Sequence, residues 1–133
     1  MNLGFNPIFV PYIFSGTKKH TIRTDATNRW KEGMKIHFAT GIRTKNYDCF
    51  KQGVCVSTQT IEFVWRQHNK GMANMSWGVQ VFIDGRNVTN ENDIIDQLAK
   101  NDCFYDRKEF FEWEAWNKKN FKGKVIHWTN LKY

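Results

Sequence analysis

The sequence predicts an α+β fold of about five mostly antiparallel strands with two or three helices. Three observations carry that expectation. Runs rich in β-branched residues with a period of two dominate the chain as far as Ile83. The apolar period then lengthens to three and four residues beyond Asn90. A final β-branched run, Lys124 to Thr129, closes the chain. Strands followed by helices, rather than alternating with them, favour a mostly antiparallel sheet. The length, 133 residues, fits one domain over 1–133 and allows a core without staples.

Val10 to Phe14 is apolar and ends at Ser15-Gly16, which suits either one helical turn closed by Gly16 or an extended lead-in. Lys19 to Arg23 reads as a strand, with Lys19, Thr21 and Arg23 on one face and His20 and Ile22 on the other. Asp25 to Gly33 is a polar loop around Trp30. Lys35 to Gly41 is a second strand, with Ile36 and Phe38 on one face. Val54 to Arg66 is a long strand with room for a bulge. Asn69 to Asn74 is a turn, and Trp77 to Ile83 a strand that ends in the turn signal Asp84-Gly85. Asn90 is placed to cap a helix running to about Lys100, which presents Ile94, Ile95 and Leu98. Asp106 and Glu109 resemble a capping box for a helix whose apolar face is Phe110, Trp113 and Trp116, widened by Phe111. In the last strand Val125 and His127 share one face and Ile126 and Trp128 the other.

The formal charge is +7, and it is uneven. Met1 to Lys51 holds nine Lys/Arg against three Asp/Glu, whereas Gln52 to Tyr105 holds four against six. A basic first third points to a polyanionic partner. Three Cys without a C-x-x-C pair indicate neither a disulfide framework nor a zinc site. The four His show no metal-ligand spacing, so no metal or other cofactor is implied. There is no secretory signal pattern and no apolar run of membrane-spanning length. The expected setting is the cytoplasm.

One stretch carries a name. Gly16-Thr17-Lys18-Lys19-His20-Thr21-Ile22-Arg23 resembles the ASCH signature of a Gly turn, a Lys, a spacer and then Thr and Arg on a strand. Arg29 to Phe38, with Gly33 before a strand, is similar to the second segment of that family. Leu98 to Phe104 resembles its helix-ending block, with Cys103 where related chains have Gly. Phe110 to Trp113 and Val125 to Thr129 resemble the closing helix and strand. Tyr47 to Asn74 is the least covered stretch.

The resemblance implies a small PUA-like β-barrel that binds RNA or a modified nucleoside. It also raises hydrolysis of an acylated cytidine nucleoside, or of RNA. In the amidohydrolase branch the Lys after the Gly turn and the Thr three positions later are catalytic, and they match Lys18 and Thr21. The Glu of that branch has no clean match; Asp84, Asn87 and Glu91 lie in the region, and Asp84 is the candidate. Glu62 matters only if it reaches the same cleft as Thr21.

The residues support this chemistry in their own terms. A strand after a tight turn holds Lys18, Thr21 and Arg23 in fixed relation. A Thr hydroxyl needs a base to become a nucleophile, and an Arg fork binds phosphate or carboxylate. Lys19, Arg29, Arg43 and Lys45 are candidates for phosphate contact, and Trp30 and Tyr47 for base stacking. The rival reading, from another class, is a protein-interaction scaffold with an apolar patch around Phe110, Phe111 and Trp116.

Overall fold

The computed structural model describes the backbone of residues 1–69 and 75–133 and the side chains of residues 1–67 and 78–133. Most of the turn expected over Asn69–Asn74 lies outside the described residues. The elements run β1 (Asn2–Gly4), a 3-10 turn (Pro7–Phe9), α1 (Val10–Ser15), β2 (His20–Arg23), β3 (Lys35–Thr40) and β4 (Asp48–Val54). They continue with β5 (Ser57–Asn69), β6 (Met75–Ile83), β7 (Arg86–Asn87), α2 (Asn92–Asn101), α3 (Arg107–Phe111) and β8 (Phe121–His127).

The α+β class is as expected, but the strands form two sheets, not one closed barrel. One sheet has the order β1-β3-β4, with β1 parallel to β3. The other has the order β2-β8-β5-β6-β7 and is antiparallel throughout. The long strand expected from Val54 breaks at Cys55-Val56, where the chain leaves one sheet for the other. Backbone bonds hold that crossing: Cys55 N donates to Met34 O (2.7 Å), Gly33 N to Cys55 O (2.8 Å) and Val56 N to His127 O (2.8 Å).

Each sheet has its own core. One face of the larger sheet, through Ile22, Ile61, Phe63 and Val125, packs on Leu98, Phe104, Phe110 and Trp116 from the helical region. The opposite face near β8 places Ile126 against Phe5, Ile13, Trp30, Ile36 and Phe38. Each such side chain stabilises the fold by about 1.5–3 kcal/mol when fully buried. Because the β2–β8 pair stands between the two cores, alternation does not separate an inner from an outer face there. Thr21, expected on a polar face, is buried.

The helix ends explain where side chains go. Asp106 caps α3 as expected, accepting from Glu109 N at 2.9 Å, while Glu109 accepts from Tyr105 N. Asn90 does not cap α2; Glu91 holds that position without a side-chain cap and instead pairs with Arg86 at 3.0 Å. At the other end of α2, Phe104 N donates to Ala99 O and Cys103 N to Lys100 O, with Cys103 at φ 72. This is a Schellman ending, so the position where Gly was expected carries a Cys in the left-handed conformation. α3 stops at Phe111, and the chain then turns. Phe110 and Trp116 are buried, with Trp116 Nε1 donating to Phe110 O at 2.7 Å. Trp113, expected in the core, is instead 37 % exposed. Among the described residues no helix is long and apolar enough to cross a membrane.

Candidate functional site

Gly16 ends α1 at φ 83, a backbone state that favours glycine. The turn it makes sends Lys18 inward: Lys18 N donates to Tyr12 O (3.0 Å), and Lys19 N donates to Asn101 O (2.8 Å) at the end of α2. Lys18 is therefore buried and Lys19 exposed. The Lys18 ammonium donates to Asp102 Oδ1 (2.5 Å) and to Asp102 O (3.0 Å), and lies 4.8 Å from the centre of the Phe9 ring. The Schellman ending of α2 presents Asp102 to this turn. Burial raises the Asp102 carboxyl above its ordinary value, while the charges of Lys18 and Arg23 pull it back without cancelling the rise.

Arg23 leaves the end of β2 with its fork anchored. Nε donates to Thr21 Oγ1 (3.1 Å), Nη2 donates to Gly4 O, and the guanidinium lies 5.2 Å from the Phe5 ring centre. Of the five N–H donors of an Arg, three then have no partner among the described residues. Lys18, Thr21, Arg23 and Asp102 together line one cavity of about 480 Å³. Its aromatic walls include Phe5, Phe9, Phe104 and Trp113. Trp113 stands edge-on to Phe9 and Phe104, at centroid distances of 6.5 and 5.5 Å.

The expected grouping of Lys18, Thr21 and Arg23 is thus present, and the carboxylate that meets it is Asp102. Asp84 lies elsewhere, in the turn after β6. It accepts from Thr60 N (3.0 Å) and from Gln59 Nε2 (2.9 Å), which ties two strands together. Glu62 is exposed and paired in register with Lys122, and Asn87 accepts from Thr89. None of these lines the cavity.

Gln59 opens a second polar assembly behind β2. Its Oε1 accepts from Tyr133 N (2.9 Å) and from His127 Nε2 (3.0 Å), and its Nε2 donates also to Tyr133 O (2.8 Å). An amide oxygen only accepts, so His127 carries its proton on Nε2. His20 Nε2 meets the Tyr133 hydroxyl at 2.6 Å, and its Nδ1 stands 3.8 Å from Asp102 Oδ1, too far for a hydrogen bond. Burial, then the nearby His127 and Lys18, hold His20 well below the ordinary histidine value. Burial, then Lys132, lowers His127 to about 4 against the pull of Asp84. Both rings are neutral at pH 7.

The remaining candidates divide. Trp30 is buried in the core of the smaller sheet, so its ring is not a free stacking platform. Arg29, Arg43 and Tyr47 line a second, shallower groove of about 760 Å³, which also includes Gly4, Arg23 and Thr24 from the cavity rim. Lys45 is exposed and lies outside that lining. Sequence reasoning missed Asp102, Phe5 and Phe9 as site residues. Asp102 was within reach of it, inside the Leu98–Phe104 block. Among the described residues no cluster of His, Cys, Asp or Glu is arranged to hold a metal ion. Comparison of the chain with protein-family models, with curated proteins and with solved structures gives no match.

Proposed function

We propose that this chain is an ASCH-like reader of RNA or of a modified nucleoside, whose cavity takes one nucleoside unit. The observation that carries the proposal is the meeting of Lys18, Thr21, Arg23 and Asp102 in one aromatic-walled cavity. Phe5, Phe9 and Trp113 offer apolar surface to a planar base. The Thr21 hydroxyl, the Asp102 carboxylate and the open donors of Arg23 offer both donors and acceptors to its polar edge. In this reading the two sheets are the halves of a PUA-like barrel that meet at the Cys55–Val56 crossing.

Recognition fits the geometry better than hydrolysis. The Thr21 hydroxyl accepts from Arg23, and no carboxylate or imidazole among the described residues bonds to it. A Thr nucleophile needs a base, and the amine that could serve, Lys18, is held as an ammonium on Asp102 and does not bond to Thr21. Asp102 is engaged by Lys18. The rival scaffold reading has lost its expected patch, since Phe110 and Trp116 are buried and Phe111 packs against the same core.

Calorimetric titration with the four ribonucleoside 5′-monophosphates tests the proposal. Arg23→Ala should weaken binding about 10- to 100-fold, as expected for a charge-assisted fork, and Thr21→Ala about 2- to 10-fold. Absence of binding, or affinity unchanged in Arg23→Ala, would overturn it. Deacylation of an N-acylated cytidine that is lost in Thr21→Ala would replace the reader by the hydrolase.

A further inference from the structure

The cavity and the arginine groove meet. Gly4, Arg23 and Thr24 belong to the lining of both. Arg23 therefore stands at the junction, with its three open donors available to a group that bridges the two. The groove beyond it carries two further guanidinium groups, Arg29 and Arg43, both exposed.

The only carboxylate in the groove lining, Asp25, does not offset them. Its side chain is only 3 % exposed, it accepts from Arg29 N (2.8 Å) and Trp30 N (2.9 Å), and Lys124 pairs with it at 3.1 Å. Burial alone would raise Asp25, but those amides and the Lys124 ammonium outweigh it, and its carboxyl sits below the ordinary range. Asp25 stays ionised and its charge is answered internally. The exposed side-chain charge of the groove is that of its arginines.

The far wall of the groove is rigidly built. Gly41 stands at φ 64, and a Cβ there would lie 2.6 Å from Asn46 O, so the loop closes too tightly for a side chain. Thr44 Oγ1 donates to Gly41 O (2.7 Å) and accepts from Asn46 N (3.1 Å). The same loop holds Arg43 at φ 63, and the Tyr47 hydroxyl donates to Asn2 Oδ1 (3.0 Å). Arg43 and a 45 % exposed Tyr47 ring are thereby presented on a fixed frame.

We propose that the ligand is a single strand of RNA and not a free nucleoside: one base enters the cavity, and the adjoining backbone crosses Arg23 into the groove of Arg29, Arg43 and Tyr47. This rests on the nucleoside-reading proposal above and extends it to a polymer. The strand must be single because a base inside a duplex is stacked and paired and cannot enter a walled cavity. Two adjacent hollows that share Gly4, Arg23 and Thr24 supply the path, and the guanidinium groups supply counter-charge for successive phosphates. Tyr47 supplies a stacking face for a neighbouring base.

Ribo-oligonucleotides of one, two, four and six nucleotides, titrated at several salt concentrations, test this. Affinity should rise at least tenfold from the mononucleotide to the tetranucleotide. The Arg29→Ala/Arg43→Ala double variant should lose that gain while keeping the affinity for the unphosphorylated nucleoside within twofold. Its log–log salt slope for the hexanucleotide should be shallower by about 1.4, two phosphate contacts at about 0.7 each. Oligonucleotides that bind no tighter than the mononucleotide, or a double variant that binds them normally, would overturn the strand path. If mononucleotide binding is still lost in Arg23→Ala, the nucleoside reading survives that result. If neither ligand binds, both proposals fall.

Discussion

The cavity and the arginine groove share Arg23 yet are built on opposite principles. In the cavity, Lys18 and Asp102 are each about 4 % exposed and answer each other directly. In the groove, Arg29 and Arg43 stand in solvent, and Asp25 is internally paired. Charge in the cavity is therefore part of the fold as well as of the site. Charge in the groove is available to a ligand and contributes little to stability. Substitutions in the first region should move stability and binding together, whereas those in the second should move binding alone.

The largest expected effect is in the cavity. Asp102→Ala leaves the Lys18 ammonium buried without its counter-charge, which should cost about 3–5 kcal/mol of folding free energy. Chemical denaturation measures it. A loss below about 1 kcal/mol would show that water reaches Lys18 and that the two regions differ less than the geometry implies.

Acid should act through the wall behind the cavity. His20 faces His127, Tyr133, Lys18 and Asp102, and both imidazoles are neutral in the folded chain. In the unfolded chain they take up protons near pH 6.5. The folded chain resists until about pH 4 at His127, and burial holds His20 well below its ordinary value too. The unfolded state thus binds more protons in this window, and stability falls as pH drops from about 6.5 toward 4. Asp102, whose carboxyl is raised, binds its proton earlier in the folded chain and offsets part of the loss at the acid end. Thermal unfolding across this range should show a declining midpoint, with a shallower decline in His127→Gln. A flat profile would mean that these rings are not sealed from water.

The smallest expected effect is in the groove. Arg43→Ala should leave the unfolding free energy within about 0.5 kcal/mol of the parent. A larger loss would place Arg43 in the structural framework of its loop.

The local features were legible in the sequence and the long-range ones were not. The Gly16 turn and the strand after it depend on neighbouring residues, and Lys18, Thr21 and Arg23 come together as their spacing implies. Asp102 reaches Lys18 across 84 positions, and that meeting depends on how the end of α2 packs beside β2. No local pattern encodes it. Asp84 had the right charge, but its turn closes the end of the β5–β6 pairing, where Gln59 and Thr60 donate to it. β4 escaped notice because Asp48–Val54 has no apolar alternation, and β1, with three residues, is too short to show a period. Trp113 was assigned to the core by carrying a helical period past Phe111, where the helix has already ended. Trp30 turned inward because the small sheet needed a large side chain to close its core.

The central claim is that the aromatic walls of the cavity receive a base. Ultraviolet cross-linking of a short single-stranded RNA to the protein, followed by peptide mass spectrometry, tests it most directly. The account predicts cross-links at Phe9, Phe104 or Trp113, together with Tyr47 in the groove. Cross-links confined to the exposed rings of Tyr12, Phe14 and Tyr105, outside the cavity lining, would contradict it.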